Sequence, residues 1–403
     1  MWVLPVCTFA SFILLRKHLL VFSKHTQNAP NLDTSMNAVV YVGPHKTGST
    51  TIQHYSKQFA RELANDNYEM PWYRLSTGQK NQVNFATCFL NTNNPINMRT
   101  FTPGIPVKKR FPCSQALLKS GLEIANQSHS ILLAAETFDF LNLDGVSALS
   151  QYLIPWNNVT IILSYRRYYE WIASYHNQLS RGDSWKIFHA NATEKLRPSI
   201  FDNLCDSRWL ETITQRYTLY VAKRFKNNFT NVVVMNLHDT GEEFVKDFYC
   251  NVVPHARSAC KAIERSNIYQ NYTRKNKSVT LVYEDIAYAA NRKGMINIKE
   301  KNKFKFCRDT IQAYQEKVLN LSSSDFSYQC PPHNVLKHLR EVSLQAEREL
   351  LPAFYSSVNG EIQLTTDFEI QSKTLLCEVD MAATLETPIW KHFFNSLEKA
   401  ISK

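Results

Sequence analysis

The sequence predicts an α/β fold, a parallel β-sheet flanked by helices on both faces. Three observations carry that expectation. Four apolar runs of strand length, "AVVYV" (38–42), "SILLAA" (130–135), "VTIILSY" (159–165) and "NVVVMNL" (231–237), lack a regular polar face, as strands buried on both sides do. Stretches with helical spacing of apolar residues separate them. A glycine-bearing turn, "GPHKTGST" (43–50), follows the first run and opens a helix, which is where parallel sheets receive anions.

The elements follow in order. After Gly48, residues Ile52, Tyr55, Phe59 and Leu63 fall on one helical face. Residues 66–112, rich in Asn, Pro and Thr, read as a long irregular insertion. The helical stretch "SQALLKSGLEIANQ" leads into the second strand. The third strand precedes a helix carrying Trp171, Ile172, Tyr175 and Leu179, a spacing that assigns Trp171 and Tyr175 to the core. Residues 207–226 read as one helix, with Trp209, Ile213, Tyr217, Tyr220 and Val221 on one side. It delivers the chain to the fourth strand. The stretch 290–306, "ANRKGMINIKEKNKFKF", reads as a basic exposed segment. No internal repeat is evident.

The chain has 403 residues, 44% hydrophobic and 20% charged, an ordinary globular composition with no sign of long disorder. A net charge of +11 suits a polyanionic partner: nucleic acid, an acidic glycan, an anionic membrane or a polyanionic cofactor. Residues 1–25 form an apolar leader, unbroken from Trp2 to Leu15 and then interrupted by Arg16, Lys17 and His18. That run is too short to span a bilayer and is expected to be a signal peptide or marginal signal anchor. It lacks basic residues ahead of the apolar core, and the trailing Arg16 and Lys17 run against a lumenal C-terminal domain.

Two features favour the secretory pathway. Eight cysteines outside the leader (88, 113, 205, 250, 260, 307, 330 and 377) show no C-x-x-C spacing and read as disulfides rather than zinc ligands. Cys250 and Cys260 are the first pair expected. Glycosylation sequons stand at Asn126, Asn158, Asn191, Asn228, Asn271, Asn276 and Asn320. Asn158 is the weakest of these because it opens a strand.

The turn carries the chemistry. Gly43 and Gly48 have the spacing of a nucleotide loop, but Ser49 stands where its lysine belongs and the lysine is Lys46. Glycines admit an anion to the backbone, amides at a helix start hold it, and Lys46 adds a point charge. The hydroxyls of Thr47, Ser49, Thr50 and Thr51 add donors. In "LSYRRYYEWIASYHNQ", Arg166 falls at a strand end and Ser174 eight residues on. These are placed to clasp a second phosphate.

Together the two motifs resemble the sulfotransferases that use 3′-phosphoadenosine 5′-phosphosulfate. In that family the loop lysine precedes the second glycine, in a K-[ST]-G-[ST]-[ST] core. Arg166 and Ser174 match the family's arginine and serine for the 3′-phosphate. The second motif departs from the family's frequent R-[DN]-P, since Arg167 and Tyr168 follow Arg166. The resemblance covers residues 36 to about 250 of a domain expected to span 36–403, and fades beyond.

It implies a P-loop-type sulfotransferase fold, the phosphosulfate donor as co-substrate and no metal. Lys46, Thr47, Gly48, Ser49, Thr50 and Thr51 would hold the 5′-phosphosulfate, and Arg166 and Ser174 the 3′-phosphate. Glu136, closing the second strand in "LAAETFDF", would take the acceptor's proton, with Asp139 and His54 as alternatives; His45 either faces the acceptor or is incidental, the second being the expectation. "NRKG" (291–294) resembles a nucleotide-covering segment of some sulfotransferases but reads as a solvated loop. The expected acceptor is a carbohydrate in the Golgi membrane or lumen, a cytoplasmic location being the alternative, with no nucleic-acid partner. The rivals are a P-loop kinase or hydrolase and a catalytically inactive binding module.

Overall fold

Each apolar run becomes a strand. In a computed structural model, which describes residues 36–74, 83–90, 113–179, 199–240, 243–266, 282–317, 328–356 and 360–401, they are β1 (Asn37–Val42), β3 (Ser130–Ala134), β4 (Asn158–Tyr165) and β5 (Asn231–Asn236). A two-residue edge strand, β2 (Tyr68–Glu69), pairs with β3 through Tyr68↔Ser130 and Glu69↔Ile131. All pairings are parallel and the sheet order is β2-β3-β1-β4-β5. Every residue of β1 and β3 is buried. This is why these runs carry no polar alternation.

Helix α1 (Ser49–Gln58) follows β1, α2 (Gln115–Asn126) precedes β3, α3 (Leu143–Tyr152) joins β3 to β4, and α4 (Tyr168–Leu179) follows β4. From β1 the chain moves toward β2; every later crossover runs the other way. With right-handed crossovers, α1 therefore lies on one face and α2 and α3 on the other. Adjacent β1 and β4 send their connections in opposite directions, so a topological switch point lies between their carboxyl ends. Caps mark helix starts: Ser114 accepts from the Leu117 amide and Asn142 from the Gly145 amide.

Three expectations change. The predicted helix over 207–226 is two, α5 (Ser207–Thr214) and α6 (Thr218–Lys226). The break carries the buried Arg216, whose partners lie across the sheet rim. The insertion at 66–112 is not wholly irregular, for Tyr68 and Glu69 join the sheet and Trp72, Phe85 and Phe89 are buried in its core. A two-residue strand is too short to show a period. Its stretches 75–82 and 91–112, like the leader and the sequons at Asn191, Asn271, Asn276 and Asn320, lie outside the described residues. The segment 290–306 spans the end of α7 (Val282–Arg292) and the start of α8 (Lys301–Lys317). Arg292 and Lys293 are exposed while Ile296, Ile298 and Phe304 are buried.

Ile296, Ile298 and Phe304 enter a second apolar cluster, with Trp390 and Phe394 of α11 (Pro388–Ile401). Cys250–Cys260 is a disulfide, as are Cys88–Cys113 and Cys330–Cys377. Cys307 lies outside these pairs, buried in the second cluster, where desolvation pushes its thiol up to about 12; Cys205 also lies outside them. Among the described residues, no helix is long and apolar enough to cross a membrane.

The C-terminal helices α9 (His333–Leu350) and α10 (Gly360–Leu376) pack on α4. Their Glu347 and Asp367 both bind Arg167, with Arg167 Nε 3.0 Å from Glu347 Oε1. Glu347 also accepts from the Tyr165 hydroxyl at 3.2 Å. Removing Arg167 leaves Glu347 buried without its counter-charge. Arg167→Leu is expected to cost about 3–5 kcal/mol in urea unfolding, and Arg167→Leu/Glu347→Leu to recover most of it.

Candidate anion-binding and transfer site

Three strand ends and the following turns build the site. Gly43 leaves β1 beneath the Tyr41 ring, and a Cβ there would lie 2.5 Å from Tyr41 Cε1 and 2.8 Å from Ser49 Cβ. Only glycine fits. Lys46 (φ 68°) and Gly48 (φ 87°) both adopt the left-handed conformation. The loop's carbonyls are held by the body of the protein. Pro44 O accepts from the Thr47 amide (3.1 Å) and hydroxyl (2.5 Å). His45 O accepts from Trp171 Nε1 (2.7 Å), and Thr47 O from the Tyr41 hydroxyl (3.2 Å). Tyr41 is itself fixed by Ser164 at 2.6 Å. In a trans peptide the N–H opposes the C=O, so the Lys46 and Gly48 amides point away from Trp171 and Tyr41. Helix α1 starts at Ser49, and its first turn adds further amide donors.

At the end of β4 the two arginines part company. Arg166 keeps 30% of its side chain in solvent and donates from Nε to Glu170 Oε2 at 3.0 Å. Arg167 is buried against Glu347 and Asp367. Burial acts to lower its pKa, but those carboxylates outweigh it and raise it. Of the two, Arg166 is the one open to solvent. Ser174 is half-buried on α4, one turn beyond Glu170 and on the same face.

His238, just past β5, was not anticipated. Its Nε2 accepts the Arg167 amide at 3.4 Å, which requires the neutral ring with the proton on Nδ1. Burial lowers its pKa against the pull of Glu170.

Glu136 opens a short 3₁₀ turn, Glu136–Phe140, directly after β3. Its Oε1 accepts from Ser49 Oγ at 2.5 Å and lies 3.4 Å from Thr50 Oγ1. Its Oε2 lies 3.4 Å from His45 Nε2. Glu136 and the loop thus share one rim. Two of the hydroxyls assigned to an anion face a carboxylate instead, because the strand order sets β3 beside β1. Thr47 is buried by its bond to Pro44, and Thr51 is buried in the first turn of α1.

His45 packs against the turn after β3. It is 2% exposed, and its Nδ1 lies 2.8 Å from Asp139 Oδ2. Asp139 has no solvent contact and so cannot serve as the alternative base; Arg216 Nη2 lies 3.6 Å from its Oδ1. Burial alone would raise the Asp139 carboxyl, but His45 and Arg216 together hold it below its ordinary value. His54 stays on α1 with its ring against Tyr55. Trp171 and Tyr175 are buried and stacked at 5.1 Å, as their spacing predicts.

Two arginines hold the turn. Arg216 stacks 3.6 Å above the Phe140 ring and donates to the Tyr175 hydroxyl, and burial lowers its pKa to about 10. Arg224 donates to the carbonyls of Leu141 (2.9 Å), Gln215 (2.5 Å) and Asp139 (2.8 Å). No local pattern marks them, since Asp139 lies 77 residues before Arg216 in the chain.

Comparison with protein-family models, curated proteins and solved structures finds no match in any of the three.

Asp139 also sets a pH dependence. Its folded value lies below the unfolded one of about 3.9, so its contribution to stability is complete above that range. The contribution is lost as pH falls through the lowered value. Asp139→Asn is expected to be less stable at pH 7 and to lose less further stability on acidification, as followed by urea midpoints from pH 7 to pH 2.

Proposed function

We propose that the protein is a sulfotransferase, moving a sulfuryl group from 3′-phosphoadenosine 5′-phosphosulfate to a hydroxyl or amine of a carbohydrate acceptor. One observation carries this reading. The Gly43–Thr51 loop and Arg166 lie at the ends of neighbouring strands, on the two sides of the switch point. The residues suit the donor. Lys46 and Gly48 take left-handed conformations with their amides turned away from the Trp171 and Tyr41 contacts, and Arg166 retains solvent access.

The donor supplies an activated sulfuryl group and a leaving phosphate oxygen. Lys46 and the loop amides neutralise charge on the 5′ side. Arg166, steadied by Glu170, and Ser174 hold the 3′-phosphate. Glu136 accepts the acceptor's proton. Ser49 has one hydroxyl hydrogen; turning it from Glu136 to an anion frees a lone pair on Oε1. Anion binding and readiness of the base are thereby linked.

The acceptor follows from charge and compartment. A net charge of +11 suits an acidic glycan. Three disulfides among the described residues fit the oxidising secretory pathway. There the leader would serve as signal or anchor.

A kinase or hydrolase acting on ATP has one observation in its favour. Glu136 follows a strand and faces Thr50, as a metal-binding carboxylate faces a loop hydroxyl. Against it, Ser49 occupies the lysine position.

Calorimetry separates the readings. Adenosine 3′,5′-bisphosphate is expected to bind without metal, and Arg166→Ala to weaken it at least about 10-fold. Lys46→Ala is expected to cut sulfate transfer to a glycan panel by about 100-fold or more. Binding of Mg·ATP with no affinity for the 3′-phosphorylated nucleotide would sink the proposal.

A further inference from the structure

The residue with the least expected position is His45. It sits between two carboxylates, with Nδ1 2.8 Å from Asp139 Oδ2 and Nε2 3.4 Å from Glu136 Oε2. The carboxylates differ in kind. Asp139 is wholly buried beside Arg216, whereas Glu136 keeps 20% of its side chain in solvent. The ring is clamped edge-on by Phe140 (5.6 Å) and Tyr175 (5.9 Å), and Trp171 holds its carbonyl. No rotation exchanges the two nitrogens without breaking this packing.

We infer that Asp139, His45 and Glu136 form a proton relay, in which His45 is the positioning residue that receives from Glu136 the proton Glu136 takes from the acceptor. The inference rests on the transferase reading and deepens it. An ionised Asp139 can only accept, so Nδ1 carries a hydrogen. In the neutral ring Nε2 then has its lone pair toward Glu136. As the acceptor oxygen or nitrogen bonds to sulfur and the bridging S–O bond breaks, the acceptor's proton passes to Glu136. From Glu136 it moves to Nε2. The resulting imidazolium lies against the Asp139 carboxylate, so its charge is balanced while the product forms. Once the product leaves, the proton returns from Nε2 to Glu136, the member with solvent contact, and passes to water, which restores all three groups.

Other charged groups among the described residues stand around the ring. From the 3₁₀ turn, Glu136 and Asp139 face the ring. From the break between α5 and α6, Arg216 reaches Asp139. From α6, Arg224 binds the Asp139 carbonyl, and Lys46 is the ring's neighbour in the chain. Arg216, which also feels the charge of Glu136, keeps the Asp139 carboxylate an acceptor.

The test uses the full chain and two readouts. With ¹⁵N-labelled histidine, the His45 resonances are assigned by their loss in His45→Gln. Glu136→Gln is expected to move the Nε2 resonance and leave Nδ1 in its proton-bearing range. In transfer assays with an acceptor found for the wild type, His45→Gln is expected to lower turnover by about 10- to 100-fold. Its pH–rate profile should be displaced on the acid side, and the affinity for adenosine 3′,5′-bisphosphate should stay within about twofold of wild type. Full turnover in His45→Gln, or an Nε2 resonance indifferent to Glu136→Gln, overturns the relay and leaves the transferase reading standing. A wild type with no affinity for the 3′-phosphorylated nucleotide overturns the transferase reading, whatever the resonances show.

Discussion

A guanidinium with no solvent contact organises this rim. Arg216 sits between Asp139, the Phe140 ring and the Tyr175 hydroxyl. Desolvating such an ion costs several kcal/mol unless opposite charge and polar contacts offset it. Asp139 meets that need, and in doing so fixes the 3₁₀ turn that bears Glu136. The same carboxylate orients His45, and the His45 carbonyl ties the glycine loop to Trp171 of α4. One buried charge thus links the ends of β3, β1 and β4.

The sheet was legible because burial leaves a mark along the chain. Both faces of β1 and β3 are covered, so their residues are uniformly apolar, and each boundary falls within a residue or two of its run. The loop was legible for a similar local reason. Its glycines, lysine and hydroxyls are contiguous, and left-handed backbone at Gly48 is what that residue type is suited to. Arg166 was placed correctly at a strand end.

What stayed hidden was decided by pairing across long separations. Arg167 looks like Arg166 in the chain, and only Glu347 and Asp367, 180 and 200 residues away, distinguish them. His45 could not be told from an ordinary loop residue until β3 brought Asp139 and Glu136 beside β1. The break in the 207–226 helix has the same origin. Tyr217 fits the helical stripe, but it opens α6 as its N-cap, and its hydroxyl donates to the Arg166 carbonyl at 2.9 Å. Tertiary demand there overrides local propensity.

The Cys330–Cys377 bridge spans 47 residues, and those residues contain both α9 and α10. The loop it closes therefore carries both carboxylates that neutralise Arg167, the neighbour of the partly exposed Arg166. Cross-linking a loop of this length narrows the unfolded ensemble; here it also tethers the helices on which one side of the rim depends. The oxidation state of a preparation is for that reason part of its chemistry. Chain made in a reducing cytosol and chain made in an oxidising compartment would share a sequence while differing in how firmly that side of the rim is held.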